Sequence, residues 1–192
     1  MQFKRPEPGQ RRPADAERVF KGIIFDVYQW RQKMFDGSLA TFEQLSRPDT
    51  TEVISVLPNG KILVIEEEQP GKPPFLSLPG GRLELGEDPA AAALRELHEE
   101  TGYTAKEIAL WTAVQPVGKI DWAIFTFIAR GVAKEGLPHL DVGEKITVHE
   151  MSFDEFLEAA RQGRLWDHLA LHAYRAADDP AYYTELKKLF GV

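Results

Sequence analysis

"GRLELGEDPAAAALRELHEETGY", residues 81–103, decides the fold of this 192-residue chain. Its second half reads as one helix. Asp88 suits the N-cap, Pro89 the first helical position and Gly102 a left-handed stop. Ala90, Ala93, Leu94, Leu97 and Thr101 share a face, the expected buried stripe. Glu96, Glu99 and Glu100 share another flank, centred roughly 120° away at about 100° per residue. Each of the two glutamate pairs that Glu96 makes at this spacing costs roughly 0.2–0.5 kcal/mol. The negative end of the helix dipole adds to that cost. A solvated acidic face with Arg95 paired to Glu99 is the bland explanation. The preceding "LPGGRLELGED" (78–88) favours a different one. Its glycines allow tight turns and bring carbonyls close to a ligand, and Glu84 and Glu87 add carboxylates. Mg²⁺ prefers carboxylate and carbonyl oxygens in octahedral array, and such a cation would cancel the repulsion.

Composition narrows the chemistry. The chain is 43% hydrophobic and 28% charged, with net charge −7 and no cysteine. That excludes a disulfide frame, a thiolate nucleophile and Cys-ligated zinc. The acidic balance opposes general nucleic-acid binding, and an anionic substrate would need local help from a metal or from particular Arg and Lys residues. No run of about 18 apolar residues and no apolar signal core is present, so a cytoplasmic protein without membrane spans is expected. There is no GxSxG and no Walker loop. What remains is metal-assisted attack of water on an activated phosphate, with the cation polarising phosphoryl oxygens and activating water.

Residues 1–16 are polar and proline-rich and read as a flexible tail; 17–192 read as a single domain. Val19 to Phe35 alternates as strands, "DGS" (36–38) turns, and "ATFEQLSRP" resumes extended structure. "TEVISVLPNGKILVIEEEQP" is a hairpin about Pro58-Asn59-Gly60. After the helix, "TAKEIALWTAV", "IDWAIFTFIARG" and "KITVHEMS" are strands. "SFDEFLEAARQG" is a helix capped by Ser152 and stopped at Gly163, and Trp166 to Phe190 is helical with a break near Asp179-Pro180. Glu66, Glu67 and Glu68 read as a strand end at the surface, His98 as solvent-facing, and His168 and His172 as surface or packing residues.

Gly81, Glu87, Arg95, Glu96, Leu97, Glu99, Glu100 and Gly102, with Tyr103 in a slot usually aliphatic, resemble the complete Nudix box at its spacing. The resemblance implies an α/β (α+β) Nudix fold, a mixed sheet sandwiched between helices, with the box (81–103) presenting its glutamates to a cleft. It implies Glu96, Glu99 and Glu100 as ligands of Mg²⁺ or Mn²⁺, beside the Gly80 or Gly81 carbonyl. Arg95 would orient those carboxylates through a bidentate pair with Glu99 or Glu87. The implied substrate is a nucleoside diphosphate linked to another moiety. The segment 17–48, the "ETGY" sequence and Pro116 resemble the ADP-ribose and nucleotide-sugar pyrophosphatase branch, where such a β extension pairs across a homodimer. "QPVGKIDW" departs from the branch; Lys119, Asp121 and Trp122 are its candidate substrate contacts. Trp30 and Phe35 are candidates to stack a base across the dimer, with ordinary packing as their plain alternative. The branch's general base implies Glu144, or Asp141 displaced into the role, unless the metal suffices. Dinucleotides such as NAD(H), and a non-catalytic nucleotide-binding module, are the rival functions.

Overall fold

The computed structural model describes residues 4–140 and 142–192. β1 (Glu17–Lys21) and β2 (Asp26–Lys33) form a hairpin closed where the Gly22 N–H donates to the Phe25 carbonyl. β3 (Leu39–Ser46) pairs with β2 after a turn in which the Asp36 carboxylate accepts from Ser38. β4 (Thr50–Val56) and β5 (Ile62–Gln69) flank the Asn59-Gly60 turn, with Gly60 at φ +77°. β6 (Lys72–Ser77) and β7 (Gly80–Arg82) lead to α1 (Pro89–Thr101). Then come β8 (Tyr103–Thr104), β9 (Glu107–Val114), β10 (Ile120–Asp121), β11 (Ile124–Arg130), β12 (Ala133–Lys134) and β13 (Lys145–Met151). The chain ends with α2 (Phe153–Arg161), α3 (Asp167–Asp178) and α4 (Pro180–Phe190).

The central sheet runs β13-β5-β4-β11-β9, with β6 on β5 and β7 on β4; it is mixed, because β11 is parallel to β4. A second sheet runs β1-β2-β3-β10. Strand periodicity sends Val53, Leu63, Phe125 and Phe127 towards α1, where they meet Ala93 and Leu97. It sends Ile54, Val56, Ile62, Val64 and Ile128 to the other face, against α2, α3 and α4. The sheet is thus sandwiched between helices. Burying a side chain such as Leu97, which is fully enclosed, contributes roughly 1.5–3 kcal/mol.

One departure from simple pairing creates the cleft. β4 and β5 pair only next to their turn, at Ser55↔Leu63 and Val56↔Ile62. Beyond it they splay. β4 continues against β7 and β5 continues against β6, with Leu78-Pro79 crossing between them. Both ladders stay satisfied while a groove opens in the middle of the sheet.

Several expectations change. The segment read as a loose tail lies along the body from residue 4, tied by Arg5 to Asp49 and Asp121 and by the Gln10 carbonyl to Gln44. The stripe of α1 is rotated: Ala92 and Glu100 are buried with Ala93, Leu97 and Thr101, whereas Leu94 is only half-buried. "IDWAIFTFIARG" is two strands, because Trp122-Ala123 carries the chain from the second sheet into the central one. Phe35 is fully exposed near the β2–β3 turn, with no packing of its own.

Candidate active site

α1 starts where the Asp88 carboxylate accepts from the Ala90 and Ala91 N–H groups. It ends where Gly102, at φ +74°, packs against Gly136: a Cβ there would lie 2.3 Å from the Gly136 carbonyl oxygen. Both ends being pinned, the glutamate flank is held over the groove between β4 and β5. The resulting cleft is about 730 Å³ and is lined by Gly80, Gly81, Glu96, Glu99, Glu100 and Glu144, among others.

Arg95 gathers the flank. Its Nε and Nη2 donate to the two Glu87 oxygens at 2.9 and 3.1 Å, and its Nη1 donates to Glu96 at 2.8 Å and Glu99 at 2.9 Å. The guanidinium holds the Glu87 carboxyl below its ordinary range. Burial pushes Glu96 up, against the pull of Arg95. Glu100 is 7% exposed and accepts the Gly80 N–H at 2.8 Å. Burial, reinforced by the charges of Glu67, Glu96 and Glu144, pushes it up to about 9. Glu100 is therefore inside the core's edge, not on a flank beside it.

The chemistry of this donor set is the test of whether the residues fit a metal. Three carboxylates and glycine carbonyls are a hard-oxygen donor set, and burial raises the pKa of its most enclosed member. Gly81 makes room for it: a Cβ there would fall 2.3 Å from a Glu96 carboxylate oxygen. Among the described residues no three His, Asp or Glu side chains are already drawn around one point; Arg95 engages Glu96 and Glu99 instead. The set fits a divalent cation that displaces part of that network.

The two adjacent glycines yield a contrast that can be measured. At Gly80 an added Cβ meets backbone, 2.2 Å from the Thr51 carbonyl oxygen. At Gly81 it meets only the movable end of Glu96. Gly80→Ala should lower the unfolding midpoint by several degrees, as an overpacking cost of roughly 1–3 kcal/mol does. Gly81→Ala should unfold close to wild type yet lose at least about tenfold in activity, because a candidate ligand is displaced. Equal midpoints for the two variants would contradict this geometry.

Other expected contacts scatter. Trp122 lines the cleft although only 7% exposed, its Nε1 donating to the Thr50 hydroxyl at 3.1 Å. Asp121 is outside the lining and is engaged by Arg5 and Arg12; Lys119 is exposed, also outside it. Trp30 is 6% exposed and packs on Phe42 in the second sheet, away from the cleft of its own chain. Asp141 lies outside the described residues. Glu144 is half-buried in the lining.

Sequence reasoning missed several groups. Arg47 and Arg82 line the cleft; among the described residues neither is in an ion pair, and Arg47 Nε is buried without a hydrogen-bond partner. Burial, with the charge of Arg82 added, lowers the Arg47 pKa. Glu67 is also in the lining and accepts the Ser77 hydroxyl, so that part of the acidic run is not mere surface. His168 packs inward: its Nε2 lies 2.7 Å from Glu52 Oε1, which also accepts the Thr126 hydroxyl at 2.8 Å. His98 has a buried Nδ1 with no hydrogen-bond partner among the described residues and faces His139 at 6.5 Å, so it is not a solvent-facing residue. Only the strand register, which puts Glu52 opposite Thr126, would have exposed the buried pair.

Comparison with known proteins turns this arrangement into an identity. The family model of the NUDIX domain matches residues 47–172, which include every cleft-lining residue named above. The chain belongs to the Nudix family. A curated relative, the ADP-ribose pyrophosphatase of Bacillus subtilis, is 31% identical over 79% of this chain and 83% of its own. Another, the methanol dehydrogenase activator of Bacillus methanolicus, is 30% identical over 79% of this chain and 84% of its own. A crystal structure of an ADP compounds hydrolase superposes with TM-score 0.65 over 84% of this chain and 85% of that one, at 18% identity, which shows a shared fold. This Nudix protein is a pyrophosphohydrolase of the ADP-ribose pyrophosphatase-like branch.

Proposed function

We propose that the protein hydrolyses the pyrophosphate bond of a nucleoside diphosphate linked to another moiety, ADP-ribose or a nucleotide sugar, giving a nucleoside monophosphate and a sugar phosphate. One observation carries this reading: a single cleft gathers Glu96, Glu99 and Glu100 together with the guanidiniums of Arg47 and Arg82, which among the described residues are in no ion pair. A diphosphate with a divalent cation satisfies both charges at once. The likeness to the ADP-ribose pyrophosphatase of Bacillus subtilis supports the substrate class.

Glu96, Glu99 and Glu100, with the Gly80 or Gly81 carbonyl, would hold Mg²⁺ or Mn²⁺, and Arg95 orients them. The bound cation supplies polarisation of the phosphoryl oxygens and activation of water. Arg47 and Arg82 bind and orient the phosphates. Trp122 offers a flat apolar surface at the same end. Glu144 accepts the proton of the attacking water. Incubation with ADP-ribose, a panel of nucleotide sugars and NAD(H), with Mg²⁺, with Mn²⁺ or with chelator, followed by product identification, tests the reading. Metal-dependent release of a nucleoside monophosphate is expected. Absence of hydrolysis across the panel would overturn it, and a clear preference for NAD(H) would move the substrate to dinucleotides.

The proposal extends to a cytoplasmic homodimer. β1 is exposed along its whole length, and Val19, Phe20, Ile23 and Phe35 leave an apolar surface on the N-terminal sheet. Isologous pairing is the commonest way to cover such a face. Sedimentation at micromolar concentration decides it, and a monomer would count against it. Among the described residues no helix is long and apolar enough to cross a membrane.

A further inference from the structure

Arg5 sits behind one wall of the cleft and joins two aspartates far apart in sequence. Its Nε lies 2.6 Å from Asp49 Oδ2, and its Nη2 lies 2.8 Å from both Asp49 Oδ1 and Asp121 Oδ1. Arg12 reinforces the junction, 3.7 Å from Asp121 Oδ2, with its guanidinium 3.7 Å over the Tyr28 ring. Two side-chain amides bind the arm's main chain: Gln115 donates to the Pro6 carbonyl and Gln44 to that of Gln10.

The two aspartates are pegs for the wall. Asp49 Oδ1 also accepts the Ala123 N–H at 2.8 Å, and the Asp49 carbonyl accepts the Leu83 N–H at 2.9 Å. Asp49 therefore ties the start of β11 to the glycine-rich loop. The Asp121 carbonyl accepts the Arg47 N–H at 3.3 Å. Between these pegs stands the wall itself, Trp122 with the Arg47 guanidinium 4.5 Å above its ring and Trp166 edge-on at 6.2 Å. Without Arg5, two carboxylates now bound to one nitrogen face each other with only Arg12, 3.7 Å from Asp121, left beside them, and repel. Trp122, bonded in sequence between Asp121 and Ala123, moves with them.

We infer that Arg5 is a positioning residue for substrate binding: the N-terminal arm acts through Asp49 and Asp121 to set the Arg47–Trp122 wall that receives the nucleoside monophosphate part of the substrate. This rests on the proposed function of the cleft. The arm contributes to affinity, while the chemistry stays with α1 and Glu144.

The experiment compares Arg5→Met, Arg5→Lys and Arg5→Met/Asp121→Asn in the full chain. It measures kcat and KM on whichever substrate the panel identifies, together with thermal unfolding. Arg5→Met should raise KM roughly 5- to 50-fold with kcat within about twofold. Arg5→Lys keeps the charge but not the fork, and should fall between wild type and Arg5→Met. Adding Asp121→Asn removes one of the repelling charges and should bring KM back towards wild type. An unchanged KM in folded Arg5→Met overturns the inference, as does a fall in kcat alone or a further loss on adding Asp121→Asn. Should Arg5→Met not fold, Arg5→Lys against wild type decides in the same terms. AMP binding, followed by tryptophan quenching, gives a readout free of turnover. If no substrate is hydrolysed, the proposed function fails, and weaker AMP binding in the variants still supports the positioning role, whereas equal binding overturns it.

Discussion

Glu100→Gln is expected to abolish most turnover and to make the metal-free protein more stable. The two effects have one cause. With its folded carboxyl pushed up to about 9, against an ordinary value near 4.5, Glu100 takes up a proton on folding across neutral pH. The stability it contributes is fully present below pH 4.5 and is lost as pH rises through about 9. Glutamine keeps the volume and the acceptor for the Gly80 N–H and cannot ionise. The variant's unfolding midpoint should therefore exceed that of wild type by a margin that widens between about pH 6 and pH 9, on the order of 1–3 kcal/mol or a few degrees. Mg²⁺ should stabilise wild type and narrow that margin. Activity moves the other way. A cation stabilises transition-state charge by several kcal/mol, so losing one of its charge-matching ligands should lower kcat roughly 10²–10⁴-fold. Near-wild-type turnover at saturating metal, or a lower midpoint at pH 8, would sink the assignment.

Glu144→Gln should lower kcat roughly 10²–10⁴-fold with little change in KM, the signature of a lost general base. Glu144 lines the cleft, and its charge is among those that raise both Glu96 and Glu100, so it lies close to the glutamate flank of α1. It stands immediately before β13, in a loop able to deliver a carboxylate to the substrate when needed. Asp141→Asn should be measured beside it at saturating Mg²⁺. A large fall in the Asp141 variant alone would transfer the role, and small effects in both would leave the cation as sole activator of water.

Signals that act over a few residues were legible in the sequence. Asp88, Pro89 and Gly102 bound α1 as their backbone preferences demand, Asn59-Gly60 closes the β4–β5 turn, and Ser152 caps α2 in a capping box. The glutamate flank was readable from helical spacing, but its depth was not, because the buried face of α1 takes in Ala92 and Glu100 in place of Leu94, a rotation that periodicity alone does not specify. What escaped reading depends on distant pairings. Arg5 and Asp121 are 116 residues apart, as are Glu52 and His168, and each of these residue types is most often solvated when seen alone. Arg47 read only as part of the extended stretch "ATFEQLSRP", with nothing local to place it over Trp122. The splay of β4 from β5 has no local signature at all, since both strands read as ordinary partners in a hairpin.

That splay makes chain length at two neighbouring links a matter of very different consequence. The Pro70-Gly71 link joining β5 to β6 is exposed, and Gly71 has φ +79° with open space about it, so residues added there extend into solvent. Leu78-Pro79 is buried, and its Pro79 carbonyl receives the Val53 N–H at 2.9 Å. One residue added at that crossing would slide β7 along β4 and replace the pairing of Thr51 with Gly81 and Glu52 with Gly80. A side chain would then enter the space beside the Thr51 carbonyl that admits none, and the Gly80 N–H would leave Glu100. Insertions separated by fewer than ten residues would thus divide into those the protein absorbs and those that dismantle its cleft, a distinction made by where the sheet opens and not by hydrophobicity or charge.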